Sequence, residues 1–481
     1  MADASRVLLG LGGCVDYELK LTAEVLETLI TEYGIRAAEL TRPGGSPVDS
    51  MAGSAAGSAT GPMAGAAAGP PTGSAGGSAG GSAGSVGSMG SVGSMGSAGS
   101  MGSAGSAGGS AGGSVAGERD LVVSILGYVA RGAGGEHFVA SAPALSAFAS
   151  RFPHRETLGG TSVRAGILMS RLGVPSTMHL VSVNDTFRRL LPADTVYINS
   201  GAEDTFYPHL IVQYDAGLRL DANDIRMVAP SPNRLIYVND PANGAMRLTA
   251  DLGTRLRDAS VFLISGLNAM RDRDALDQRL LSLREHMRRL PAGAVTYFED
   301  AAYHEPAFSR RVRDALLDAI DVYGLNEDEM QSYLGRPVDL LAAEAVAGAL
   351  AELQRLIPVP TLVLHTKYWA LAVGSGAALR ASALETGVLM AAVRYQHGDD
   401  FTNSDVESMR KHARRPESVA FAATLSSLMG DGVRCVPGFA LDVPNPTTVG
   451  LGDTFVGGFL AAVALSLEPD DRVDPTTAQA R

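Results

Sequence analysis

Gly450-Leu451-Gly452-Asp453 is the stretch whose residue types and spacing could do the most definite chemistry. A glycine turn that opens a helix leaves backbone N–H groups pointing outward, a natural seat for a phosphate. An aspartate in the first turn of that helix can take a proton from a hydroxyl attacking beside the seat. On this reading the amides of Gly450, Leu451 and Gly452 hold developing charge and Asp453 is the base. The plain alternative is a cap, with Asp453 only hydrogen-bonding the open amides. Two further carboxylates can reach the same place. Glu299 closes the apolar run Ala294 to Phe298, and Glu329 follows a presumed strand. In an α/β sheet both can reach the C-terminal strand edge that holds Asp453. Magnesium, a hard ion, favours one or two such carboxylates plus waters and phosphate oxygens. Otherwise Asn326, Asp328 and Glu329 only cap and charge-balance a helix start.

Elements that could position these groups follow from the apolar pattern. Val7 to Leu11 reads as a buried strand ending in the glycine turn Gly12-Gly13, followed by Cys14-Val15-Asp16. Leu21 to Tyr33 has helical spacing with Gly34 as a stop. Helices are expected at Leu121 to Ala130, Pro143 to Arg151 and, behind Gly159-Gly160, Ser162 to Leu172. Between Val196 and Val238, short alternating runs separated by turn residues suggest a small antiparallel sheet. From Ser260 onward strands and helices alternate, which predicts a mostly parallel sheet covered by helices on both faces.

Composition narrows the class of protein. Glycine makes up 57 of 481 residues, and the excess is concentrated between Gly44 and Gly117, a tract of Gly, Ala, Ser and Met. Such a tract buries too little side-chain area to offset its backbone entropy, so residues 44–117 are expected to be a disordered insertion. Residues 469–481 read as a flexible polar tail. Acidic residues outnumber basic ones 51 to 39, a net charge of −12. That argues against a nucleic-acid surface, which needs a basic stripe. Two cysteines, Cys14 and Cys435, make neither a disulfide framework nor a cysteine-based zinc site. With no secretory signal pattern and no membrane span, a cytoplasmic location is expected.

The segment GLGDTFVGGFLAA, from Gly450 to Ala462, resembles the C-terminal signature of ribokinase-like sugar kinases. More narrowly, the chain resembles the ADP-dependent glucokinase and phosphofructokinase family from about Val7 to Leu467, apart from the low-complexity tract. Gly13-Cys14-Val15-Asp16, Leu158-Gly159-Gly160-Thr161, Ile264-Ser265-Gly266-Leu267-Asn268 and Asn326-Glu327-Asp328-Glu329 match that family's motifs in order. The resemblance implies a ribokinase-like α/β fold over residues 1–43 and 118–468, with a β-rich lid from segments 118–158 and 195–240. It also implies that ADP donates a phosphoryl group to a hexose hydroxyl. Asp453 would be the base, with Glu299, Glu329 and Asp453 organising Mg2+, mostly through water. Asp16, Gly159 and Gly160 would hold the sugar, and Asn326, His365 and Thr366 the nucleotide. Glu136 stands about where family glucokinases carry a glutamate for sugar hydroxyls, which leans toward glucose rather than fructose 6-phosphate. Arg234 resembles a basic position near the sugar and phosphate pocket; His304 and His397 receive no role. Two departures stand out: Tyr297 replaces the histidine of the HxE motif, and the sugar turn reads GGTS, followed by Arg164, where GGQ or GGN is usual. An ATP-dependent ribokinase-type sugar or nucleoside kinase, and a catalytically silent sugar binder on the same fold, are the competing expectations.

Overall fold

The computed structural model describes residues 6–40, 115–443 and 446–467, all within one compact unit. The expected insertion, as far as residue 114, and the expected tail lie outside the described residues.

Nine strands build the main sheet: β1 (Val7–Leu9), β5 (Ser176–Leu180), β6 (Val196–Asn199), β11 (Val261–Ile264), β12 (Val295–Glu299), β13 (Val322–Asn326), β14 (Thr361–His365), β15 (Trp369–Val373) and β16 (Val433–Pro437). Their order is β16-β15-β14-β13-β12-β11-β1-β5-β6. Every pairing is parallel except β14 with β15 and β15 with β16. Strands such as Val261–Ile264 and Thr361–His365 are buried along their whole length. That is what helices on both faces of a parallel sheet require, and it is why these strands read as unbroken apolar runs. Separate apolar cores fill the two sides. The helix Leu451–Leu467 is apolar nearly all round and packs against Thr161–Arg171 and Ala381–His397.

A second sheet has the order β3-β10-β7-β2-β4, from β2 (Cys14–Lys20), β3 (Gly135–Phe138), β4 (His154–Gly159), β7 (His209–Tyr214) and β10 (Asn233–Val238). One face packs on the helices Ala23–Glu32, Glu118–Arg131 and Ala142–Ala149 around Leu19, Leu210, Val212, Leu235 and Tyr237. In Glu118–Arg131, Leu121, Val122, Ile125, Leu126 and Val129 are fully buried, each contributing roughly 2 kcal/mol by removal from water. Alternation along the strands turns Asp16, Glu136, His209, Ile211, Arg234 and Ile236 to the other face, toward a cleft. A two-stranded unit, β8 (Arg219–Ala222) with β9 (Ile225–Val228), stands apart.

Three details differ from the sequence expectation. Val196–Asn199 pairs parallel with β5 at the edge of the main sheet instead of joining the small one. A four-residue strand with one buried residue, Ile198, carries no mark of its partner. The second sheet is mixed rather than antiparallel, because β2 runs parallel to β7 and β3 parallel to β10. It also recruits Cys14–Lys20 from the N-terminal region, outside segments 118–158 and 195–240. The alternation of that strand is masked because its polar residues Asp16 and Glu18 face the cleft side, and Asp16 is buried there.

Candidate active site

A cleft of about 210 Å³, open to solvent, runs between the second sheet and the C-terminal edge of the main one. Gly450, Leu451, Gly452 and Asp453 line it together with Asp16, Glu136, Gly160, Glu299 and His365. Residues from distant parts of the chain thus line one cleft; of the expected site residues, Gly159, Asn326, Glu329 and Thr366 are not among its lining.

Gly450 has a φ of +73° just before the helix Leu451–Leu467, and a Cβ there would lie 2.7 Å from Arg164 Cδ. The turn thus needs glycine for its backbone and for its neighbour. Arg394, buried, donates from Nε to the Val449 carbonyl at 3.0 Å and holds the approach to the turn. Asp453 stands in the first helical turn. Its Oδ1 accepts a 2.8 Å hydrogen bond from the Thr161 hydroxyl, and Arg164 Nε lies 3.7 Å from Oδ2. The GGTS departure thus puts a hydroxyl on the carboxylate of Asp453. Arg164 also donates to Asp16 Oδ2 at 3.0 Å and to Glu18 Oε1 at 3.4 Å. A single buried guanidinium joins three carboxylates from two elements, β2 and the C-terminal helix; no local feature of GGTSVR announces this.

Asp16 sits on β2 directly opposite His209 on β7. Gly159, paired with Cys14 on the neighbouring strand, has no room for a Cβ because the Asp16 carboxylate fills that space. Burial pushes the Asp16 carboxyl up, while Arg164 and His209 pull it back. His209, which the sequence does not single out, lies 3.8 Å from Asp16 Oδ1 and 3.5 Å from Asp240 Oδ2. Burial works against its charge, but Asp240 and Asp16 hold the imidazole above its ordinary value. Glu136 pairs with His304 at 3.2 Å. Burial opposes the Glu136 charge, yet His304, with His209 and His137 beyond it, keeps the carboxyl below its usual range. His304, given no role from sequence, is therefore a wall of the cleft, whereas His397 lies 3.9 Å from Asp405 and outside it. Arg234 lines the cleft as expected.

On the third side, Glu299 ends β12. His365 Nε2 contacts its Oε1 at 2.8 Å, and the Tyr297 hydroxyl donates to Oε2 at 3.1 Å. The tyrosine that replaces the expected histidine therefore still holds the carboxylate. Asp300 accepts from Tyr323 and Tyr333, both at 2.8 Å. Burial, with the Glu299 charge adding to it, pushes the Asp300 carboxyl up to about 6. Glu329 is in the first turn of the helix Glu327–Leu334 and completes a capping box with Asn326. Burial and the charges of Asp300 and Glu299 drive its carboxyl well above the usual range. Glu329 thus caps the helix and lies near two other acids. Asn326 spends its side chain inside that box, accepting from Asp328 and Glu329 N–H and donating to Glu329 Oε1. Thr366 accepts from the Tyr368 and Trp369 N–H groups and donates to the Trp369 carbonyl. With His365 it borders a smaller, mostly apolar cavity shared with Phe439, Leu451, Gly452 and Phe455. Three buried carboxylates beside one histidine form an oxygen-rich set, which fits magnesium.

The family profile described as ADP-specific Phosphofructokinase/Glucokinase conserved region matches residues 109–461. An ADP-dependent glucokinase from Bos taurus is 24% identical over 220 residues; the match spans 44% of this chain and 44% of that protein, less than half its length. The fold is similar to that of a hypothetical ADP-dependent phosphofructokinase from Pyrococcus horikoshii OT3, with a TM-score of 0.64 at 16% identity over 96% of this chain and 98% of that one. It is also similar to an ADP-dependent kinase in complex with fructose 6-phosphate and ADPβS, with a TM-score of 0.58 at 14% identity over 73% and 89% of the two chains. Among the described residues, no helix is long and apolar enough to cross a membrane.

Proposed function

Because the chain belongs to the ADP-specific phosphofructokinase/glucokinase family, we propose that it is an ADP-dependent sugar kinase. It transfers the β-phosphoryl group of ADP to a hexose hydroxyl, with glucose favoured, and leaves AMP and the sugar phosphate. The observation that carries this reading is the position of Asp453: a carboxylate at a helix start, oriented by Thr161 and facing Asp16 and Glu136 across one cleft. Asp453 takes the hydroxyl proton as the oxygen attacks, and the amides at Gly450 to Asp453 hold the charge that gathers on the phosphoryl oxygens. Asp16 and Glu136 accept from sugar hydroxyls beside Gly159 and Gly160. Glu136, kept ionised by His304, would repel a sugar phosphate, which is the reason for favouring glucose. Glu299 and Glu329, with Asp453, would hold Mg2+, which supplies charge neutralisation of the phosphates when bound. His365 fixes Glu299 from the nucleotide side, and the adjoining apolar cavity is where the base of ADP would lie. The second sheet acts as the lid: its closing excludes water that would compete with the sugar hydroxyl.

The test crosses ADP and ATP against glucose and fructose 6-phosphate in magnesium. Turnover with ADP and glucose is expected. Turnover with ATP alone would move the protein to the general ribokinase group, and sugar binding without turnover from any pair would make it a binding protein.

A further inference from the structure

Cys14, Asp16 and His209 each offer a ligand atom, and these atoms all lie within 4.8 Å of one another. Cys14 Sγ is 3.2 Å from Asp16 Oδ1, and His209 Nδ1 is 3.8 Å from the same oxygen. Sulfur, oxygen and nitrogen donors together do not suit magnesium, which wants oxygen throughout. They match the borderline ions, zinc above all, which accept thiolate, imidazole and carboxylate in a tetrahedron.

Asp16 and His209 each have a further charged neighbour. The other ring nitrogen of His209 faces Asp240 Oδ2 at 3.5 Å. Asp240 is itself fixed by the Asn243 backbone N–H at 3.0 Å and the Asn243 amide at 2.7 Å. A carboxylate behind a histidine sets the ring so that its remaining nitrogen is available to an ion. Asp16 Oδ2 is taken by Arg164, which leaves Oδ1 toward the cysteine and the histidine. All three donors ride on two adjacent strands, with Cys14 and Asp16 on the same face of β2 and His209 opposite Asp16. All three also line the cleft, so the fourth coordination position opens to water.

We propose that Cys14, Asp16 and His209 form a site for zinc or a similar borderline divalent ion, separate from the Glu299 and Glu329 carboxylates, and that an ion there excludes sugar from Asp16. The exclusion rests on the reading of Asp16 as a sugar ligand; the site itself does not. On binding, the thiol proton leaves to water, and the imidazole coordinates as the neutral ring.

The experiment uses the full chain, stripped of metal by a chelator and titrated with cobalt(II) as a spectroscopic stand-in for zinc. A thiolate-to-cobalt charge-transfer band is expected in the near ultraviolet and should be bleached by added zinc. Cys14→Ser abolishes it, Cys435→Ser leaves it intact, and His209→Gln weakens cobalt binding by more than about tenfold. Absence of the band at millimolar cobalt overturns the site, as does its persistence in Cys14→Ser or its loss in Cys435→Ser. If Cys14→Ser fails to fold, His209→Gln decides, because unchanged affinity there is equally fatal. Glucose should raise the cobalt concentration needed for half the band. A band indifferent to glucose would keep the site and overturn the exclusion. Because the band reads metal ligation directly, it is independent of whether the chain phosphorylates a sugar.

Discussion

Two groups of carboxylates lie in or beside the cleft, and they are balanced in different ways. Asp16, Glu18 and Asp453 surround Arg164, a resident guanidinium almost entirely removed from water. Glu299, Asp300 and Glu329 are held instead by His365, tyrosine hydroxyls, backbone N–H groups and the Asn326 amide. In the first group the positive charge is part of the chain, so the carboxylates keep their geometry whether or not a substrate is bound. In the second the balance is left to a proton or an exchangeable cation: burial and the neighbouring acids raise the carboxyls of Glu329 and Asp300, whereas burial raises that of Asp16 against the pull of Arg164 and His209. A base must stay ionised and oriented between turnovers, whereas a metal site must accept and release its ion. The two charge arrangements suit the proposed base and the proposed metal site.

The strongest way to break the comparison is Asp453→Asn. If Asp453 is the base, the substitution lowers kcat by roughly 10³- to 10⁴-fold while sugar affinity, read by calorimetry, stays within a few-fold. Near-normal turnover would remove it from that role. Next in size is Arg164→Met, which keeps the volume and strands three carboxylates without their cation. Unfolding in urea should show a loss of about 3 to 5 kcal/mol, and a change of less than 1 kcal/mol would mean the guanidinium balances nothing.

Asp300→Asn probes the other group through pH. With its carboxyl held at about 6 in the folded chain against about 3.9 unfolded, Asp300 binds a proton in the native state that the unfolded chain releases. Its contribution is complete below the unfolded value and is lost as pH rises through about 6. Measured in chelator, the stability of Asp300→Asn relative to the wild type should therefore climb by about 2 kcal/mol between pH 4 and pH 8. Added magnesium should recover part of the wild-type deficit at pH 8. A gap that does not change with pH would contradict the charge deficit. The smallest effect belongs to Asn326→Ala, which opens the capping box and costs about 1 kcal/mol. It should also raise the magnesium concentration needed for half-maximal rate, because Glu329 loses the amide that orients it.

Much of the fold and of the cleft is legible in the order of residues. Gly450 to Asp453 reads as a turn entering a helix because glycine and a first-turn acid have local reasons to be there. The strands from Val261 to His365 read as buried because a parallel sheet leaves no polar face. Less legible is anything carried by pairing between distant segments. Arg164 looks like an incidental residue after the double-glycine turn, and His209 and His304 look like ordinary histidines. The mixed second sheet is hidden because Cys14–Lys20 lies more than a hundred residues before its neighbours β4 and β7.

Taken alone, the sequence determined the α/β class, the family resemblance, and the identities of the turn, the base candidate and the carboxylates at the strand ends. Such features follow from periodicity and from short motifs whose conformational demands are local. Only the tertiary structure decided which charges meet: Arg164 with Asp16, Glu18 and Asp453, His365 with Glu299, and His304 with Glu136. The physical reason is that electrostatic balance depends on distance and burial in space, and neither is a function of separation along the chain.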